Sequence, residues 1–491
     1  MTASIEAPAP RQDSTATLPV AAAAIAGAVA IAFIGAPQSF AQGLVVGPEQ
    51  TDVADWQLPV YIVGAIVTAV ALLFVRLWRW QLPLGAVAIV VGFLIDHPSS
   101  DRRGGLFSFR GEKPAFADQI VVTCLKAAGG ALVLVGVLAA VLYIVRSNRR
   151  WIAAPIVGLL AAGGAGGSQV LLGPAGRWET PAIPLVLLVV AALVTVAPLL
   201  TVRQETVAPQ GNPVAAIVAL LLPLLTTVVV LGTDKPVTES TVGKIAVVAM
   251  LVAGVVLAAA AGVRMALAAT ALGLTIAAVY PFLITFGVGT FSMSGRDDDS
   301  ATWVYCVVAV LLGVIIGAFR FRSLVAPGVL VGLAVILVVL VETQTKSSDT
   351  LGKVLAAIGP LALVCVATAI TPSRPRLSNF PQIAAFTTAI AVAASGTLTV
   401  IGDSLMKVRV DVGAPGEEPV RQDDTAGLVI YCTVLTIAAA LLVLLYLRDR
   451  RDEATPEPGA PQQDSPSDGF AVQEVGPGAQ PHDDEERPPL S

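Results

Sequence analysis

Apolar residues run in long blocks from Leu18 to Tyr446, and polar residues collect between the blocks. A helix that crosses a hydrocarbon core needs roughly twenty apolar residues, each adding about 1.5 Å. By that measure the chain reads as about fourteen spans, at 18–36, 58–75, 77–95, 120–145, 151–172, 181–202, 213–232, 245–263, 265–290, 302–319, 324–341, 354–371, 381–401 and 426–446. The apolar–polar alternation of a membrane barrel is missing. Backbone groups in lipid must pair within their own segment. The predicted fold is therefore all-α, a polytopic integral membrane helix bundle. Its ionisable side chains sit at or near the block edges, and none falls at a block centre.

The junctions set an orientation. Every second junction is short and carries arginine: Arg76 and Arg79, then Arg146, Arg149 and Arg150, then Arg203, Arg264, Arg320 with Arg322, and Arg374 with Arg376. The last block ends at Arg448, Arg450 and Arg451. The other loops are longer and, with the span starts that follow them, hold every lysine and nearly all the carboxylates outside the tails. Arginine density in short loops marks the cytoplasmic side. Both termini are thus expected in the cytoplasm of a cell whose Ala/Val/Arg-rich usage suggests a bacterium, with the bundle in its plasma membrane. Tryptophan agrees: Trp56, Trp78, Trp80, Trp151, Trp178 and Trp303 all fall at span ends, where indole favours the headgroup layer.

Composition adds the boundaries. Hydrophobic residues make up 55% of the chain and charged residues 13%, against about 25% charged in an average soluble domain. Residues 1–17 and 448–491 depart from this pattern. Both are polar and too poor in apolar surface to offset chain entropy, so they read as disordered cytoplasmic tails around a transmembrane domain at 18–447. The acidic, Pro-rich second tail is a solvated segment or a docking site for a protein partner. The first span could pass for a signal peptide cleaved after Ser39-Phe40-Ala41, but its apolar stretch is long for that role.

The middle of the chain repeats a theme. Lys126, Lys244 and Lys353 each open a span, and Arg146, Arg264 and Arg374 follow about twenty residues later. A span rich in small or polar residues comes next each time: Gly163–Gln169, then Tyr280-Pro281 with Thr285, then Thr387-Thr388 with Ser395-Gly396-Thr397. The pattern predicts parallel four-helix units at 77–203, 213–322 and 324–450. Membrane thickness alone also produces that lysine–arginine spacing. Two inverted seven-span halves are the competing arrangement.

Candidate chemistry is sparse. Cys124, Cys306, Cys365 and Cys432 all lie inside spans and read as packing residues. Two histidines, His97 and His482, exclude a histidine-rich metal site. Lys126 stands about 30 Å of helix from Arg146, which puts it at the outer interface as an anchor. A polar substrate path is expected along Gln169, Tyr280, Pro281, Thr285, Thr387, Thr388, Ser395 and Thr397. There hydroxyls and a carbonyl freed by proline would bind a solute, or would simply repair a kink. Thr387, Thr388 and Tyr280-Pro281 are the candidates nearest mid-depth. Arg102, Arg103, Arg110 and Lys113, beside Phe107, Phe109 and Phe116, could hold an anionic headgroup or form a solvated loop. Asp297–Asp299 reads as a helix cap rather than a calcium loop. Glu49, Asp52 and Asp55 resemble the acidic first outer loop of membrane glycosyltransferases, by fold-level analogy only.

No nucleotide-binding fingerprint, HExxH or GxSxG occurs, so no cofactor and no nucleic-acid partner is expected, and the reading leans away from an enzyme. The leading function is a secondary transporter, exporter or lipid-substrate flippase acting on a small molecule or lipid. A non-transporting subunit of an envelope or secretion assembly comes second. A lipid-linked glycosyltransferase or related membrane enzyme comes third.

Overall fold

The computed structural model describes residues 16–32, 51–96, 116–147, 149–163, 182–202, 211–231, 241–287, 300–319, 322–343, 348–372, 379–401 and 425–454. The helices are α1 Thr17–Ala32, α2 Thr51–Leu73, α3 Trp78–Asp96, α4 Phe116–Arg146, α5 Arg150–Ala162, α6 Ala182–Val194, α7 Ala197–Thr201, α8 Pro213–Leu231, α9 Thr241–Ala261, α10 Val263–Gly287, α11 Ser300–Ala318, α12 Arg322–Thr343, α13 Ser348–Ala369, α14 Ile383–Ile401 and α15 Thr425–Ala454. Short 3₁₀ turns at Val75–Leu77 and Phe380–Gln382 lead into α3 and α14. Among the described residues five helices are long and apolar enough to cross a membrane, and nine more are apolar but shorter. The protein is a polytopic membrane helix bundle, and its described helices overlap the predicted hydrophobic blocks.

Among the described residues the sixth block divides within its span. Pro198 has no N–H to return to the carbonyl of Val194, so α6 ends there and α7 restarts after a turn. The Thr195 hydroxyl takes up the slack by donating to the Ala192 carbonyl at 2.6 Å. By contrast, α8 runs through Pro223 and α10 through Pro281 without a break in helical backbone. Between α2 and α3 the chain turns sharply, and buried Gln81 donates from its amide nitrogen to the carbonyls of Ala71 and Phe74, both at 3.0 Å. The Ala71 carbonyl is one of the orphan acceptors that a helix end leaves, and the Phe74 carbonyl also accepts from the backbone N–H of Leu77 at 2.8 Å.

Two groups of helices share the core. In one, α4 packs against α1, α2 and α3, and α1 is further flanked by α5, α6 and α7. In the other, α13 packs against α10, α11 and α12, and α14 against α8, α9 and α10. Contacts of α2 with α8, and of α5 with α11 and α13, join the groups. Glycine permits the closest approaches. A Cβ on Gly85 of α3 would lie 2.6 Å from the Gly129 carbonyl of α4, and a Cβ on Gly129 would lie 2.6 Å from the Gly85 carbonyl. Val364 of α13 is the knob for Gly158 of α5 and Gly313 of α11, with Cβ positions 2.8 and 2.6 Å from its methyl. Such small-residue seams let lipid-embedded helices gain dispersion contacts that hydrophobicity alone would not supply there. Large apolar side chains cover the outward faces, including Val186, Leu193, Ile245, Val252, Val335 and Val429.

One tryptophan departs from the expected belt. Trp80 and Trp151 are exposed, but Trp78 is fully buried, with its ring 6.1 Å from that of Tyr143 at a tilt of 41°. The end of α4 covers it, so this indole serves packing instead of the headgroup layer. Lys126 is half-buried; a Cβ on Gly92 of α3 would come within 2.9 Å of its Cγ, so its stem lies along that helix. In each proposed four-helix unit the first helix packs on the second: α3 on α4, α8 on α9 and α12 on α13.

Candidate functional site

The polar positions singled out in the sequence lie mainly on α10 and α14, and these two helices form one of the most extensive contacts in the bundle. Their relative direction follows from the packing of α9. A Cβ on Gly254 of α9 would meet Ile390 of α14 at 3.2 Å, and a Cβ on Gly396 would meet Val247 at 2.7 Å. Rising numbers on α14 thus match falling numbers on α9, and the two are antiparallel. After α9 the chain reverses at Gly262, whose φ of 135° is closed to most L side chains. Hence α10 runs parallel to α14. Its register is set by Gly273, where a Cβ would lie 2.7 Å from Cγ2 of Ile390 and 3.2 Å from the Ala391 nitrogen.

That register separates candidates the sequence had grouped. One turn before Gly273 and Ile390 lie Thr270 and Thr387, level with each other. Tyr280 is level with Thr397, about 15 Å further along the seam. Thr387 and Tyr280-Pro281 therefore do not share a depth. Counting from the start of its helix, each of Thr270 and Thr387 lies within about 10 Å of the arginine-bearing end.

Hydroxyl bonding separates the threonines further. Most helical threonines with an assigned partner donate back to their own helix: Thr275 to Ala271 at 2.7 Å, Thr388 to Ala384 at 2.7 Å, Thr397 to Ala393 at 2.8 Å and Thr433 to Val429 at 2.6 Å. This is the usual way to satisfy a hydroxyl in an apolar helix. Thr387 does otherwise. It is 6% exposed, and its Oγ1 is buried with no hydrogen-bond partner. Thr270 Oγ1 is in the same condition. Sequence reasoning missed Thr270, which sits in an unremarkable Ala-Ala-Thr-Ala stretch.

The other candidates divide by position. Thr388 is exposed, and Ser395 and Thr397 are half-buried on α14. Tyr280, Pro281 and Thr285 lie on the helical backbone of α10, but their side chains are outside the described residues, as are Gln169, Arg102, Arg103, Arg110 and Lys113.

Fixed polar ties hold the arginine-bearing end. Arg264, at the start of α10, makes a two-pronged ion pair with Asp449 of α15: Nε donates to Oδ1 at 2.8 Å and an Nη donates to Oδ2 at 3.0 Å. The Asn212 side-chain amide donates to Gln382 Oε1 at 3.0 Å, tying the start of α8 to the turn before α14. Arg79 donates to the Val202 carbonyl just past α7.

No family model matches the chain, and no curated protein matches it. Among solved structures the bundle is similar to a major facilitator superfamily proton:xylose symporter, XylE, solved bound to 6-bromo-6-deoxy-D-glucose. The identity is 14%, over 90% of this chain and 96% of that one, with a TM-score of 0.46. It is also similar to the human organic anion transporter MFSD10 (TETRAN), at 10% identity over 89% of this chain and all of that one, again with a TM-score of 0.46. Both are likenesses of helical architecture; neither brings a solute or a residue role to this chain.

Proposed function

We propose that this chain is a secondary transporter, with an exporter or a lipid-substrate flippase as its closest variants, working with both termini in the cytoplasm. The observation that carries the reading is Thr387: a hydroxyl chosen from sequence as part of a polar path, and found buried in the bundle with no partner. A buried hydroxyl without a hydrogen bond costs about 1–3 kcal/mol, so a bundle that served only as a scaffold would gain by turning it to the Ile383 carbonyl. A binding site keeps it free for a guest.

The path holds hydroxyls and carbonyls, and no carboxylate or histidine occurs at a block centre. Movement is therefore independent of a proton gradient. Sodium, a neutral solute or an amphipathic lipid moving down its own gradient remain suitable cargo classes. Reconstituted vesicles screened for uptake of uncharged solutes, with and without an imposed pH gradient, should show fluxes that the gradient leaves unchanged. Thr387→Val should reduce that flux about tenfold, the equivalent of one lost hydrogen bond at about 1.4 kcal/mol, whereas Thr388→Val should leave it nearly intact. Uptake that strictly follows the pH gradient and vanishes when one carboxylate is neutralised, Asp403 being the first to try, would refute the reading.

A further inference from the structure

We infer that Thr270 and Thr387 together form one binding site between α10 and α14 for an uncharged hydrogen-bonding group, such as a hydroxyl or an amide carbonyl. The inference rests on the transport reading and adds to it a second residue and a ligand class.

Three independent observations meet at this point. The first is register: the parallel direction of α10 and α14, together with the contact of Gly273 with Ile390, places the two threonines at one level. Thr270 precedes Gly273 by three residues and Thr387 precedes Ile390 by three, so each shares a helix face with its half of the contact. The second is chemistry: both hydroxyls are buried and unpartnered, although Thr275 and Thr388, on the same helices, donate to their own backbone carbonyls. The available carbonyls four residues earlier are those of Ala266 and Ile383, and neither hydroxyl takes them. Two hydroxyls on facing helices, each with a donor and two acceptor lone pairs in hand, are complementary to a group that both gives and accepts a hydrogen bond.

The third observation is charge. Arg264, about 9 Å along α10, is neutralised by its two-pronged pair with Asp449. Among the described residues no carboxylate lies on α10 or α14 to compensate a cation, and the one guanidinium on α10 is already paired. The desolvation cost of either ion therefore goes unrepaid, whereas a neutral polar group loses little and satisfies both threonines.

Cysteine substitution with charge-matched reagents tests this without knowledge of the cargo. Cys124, Cys306, Cys365 and Cys432 are replaced by alanine in the full chain, and Thr387→Cys and Thr270→Cys are introduced separately. Each variant, monodisperse in nanodiscs, is treated with hydroxyethyl, trimethylammonium-ethyl or sulfonatoethyl methanethiosulfonate, which differ chiefly in charge. Both positions should react with the neutral reagent about tenfold faster or more than with either charged one. Failure of either position to react, or equal rates with all three reagents, overturns the site. The outcome is separable from the transport reading. Selective labelling of a bundle that proves conformationally rigid would keep the site and remove the transporter, and inert cysteines in a bundle that moves would do the reverse.

Discussion

Valine at Gly85 or at Gly129 should abolish the folded bundle. Where α3 crosses α4, the obstacle to an added Cβ is the partner's backbone carbonyl, 2.6 Å away in both directions. Overpacking usually costs about 1–3 kcal/mol because side chains yield. Here a backbone must move, and α4 also carries α1, α2 and α5, so the strain spreads through three further contacts. Size exclusion after detergent extraction should show aggregate in place of a monodisperse peak. Gly328→Ala and Gly332→Ala provide the contrast: nothing lies within 4 Å of an added Cβ at either position, and alanine favours a helix over glycine by about 1 kcal/mol. Both should leave the thermal midpoint equal or higher. A well-folded Gly129→Val variant would show that this seam is looser than described.

Reversing the charge of Arg264 should be nearly as damaging, and reversible. The pair with Asp449 is two-pronged, with 14% and 23% of the side chains exposed, so screening is incomplete. A hydrogen bond to a charged group contributes about 1.5–3 kcal/mol when shielded, and partial exposure lowers this. Arg264→Ala should therefore cost about 1–2 kcal/mol. Arg264→Asp sets two carboxylates together and should cost more. Combining Arg264→Asp with Asp449→Arg should recover most of the loss in thermal midpoint, and a double variant no better than the single one would mean that the pair contributes little to holding α10 to α15.

Much of this architecture can be read from the chain because lipid imposes it. A block of twenty apolar residues has little alternative to a helix. Proline alone does not mark the breaks: the sixth block divides at Pro198, whereas α8 and α10 run through Pro223 and Pro281. Tertiary facts were less accessible. Trp78 and Trp80 are two residues apart at a span end, and only packing against Tyr143 decides that the first is core and the second surface. Asp449 looked like one charge in an Arg-Asp-Arg-Arg run, and its partner is 185 residues away. Thr387 was legible as a hydroxyl on a small-residue helix, but its depth depends on where α14 begins. The 3₁₀ turn at Phe380–Gln382 places it nearer the arginine-bearing end than hydropathy implied. Thr270 carried no signal, because its distinction is a rotamer choice beside Gly273, and rotamers follow from neighbours that the sequence does not name.

Transport requires that the two groups of helices change their relation, and a scaffold requires that they do not. Spin labels at Leu200→Cys on α7, in the first group, and Leu447→Cys on α15, which the Asp449 pair ties to α10 of the second, are both at exposed positions and report on that relation without any knowledge of the cargo. Double electron–electron resonance on the full chain in nanodiscs, in a background free of native cysteine, should resolve two distance populations. One narrow distance would contradict the transporter account and leave the envelope scaffold in its place.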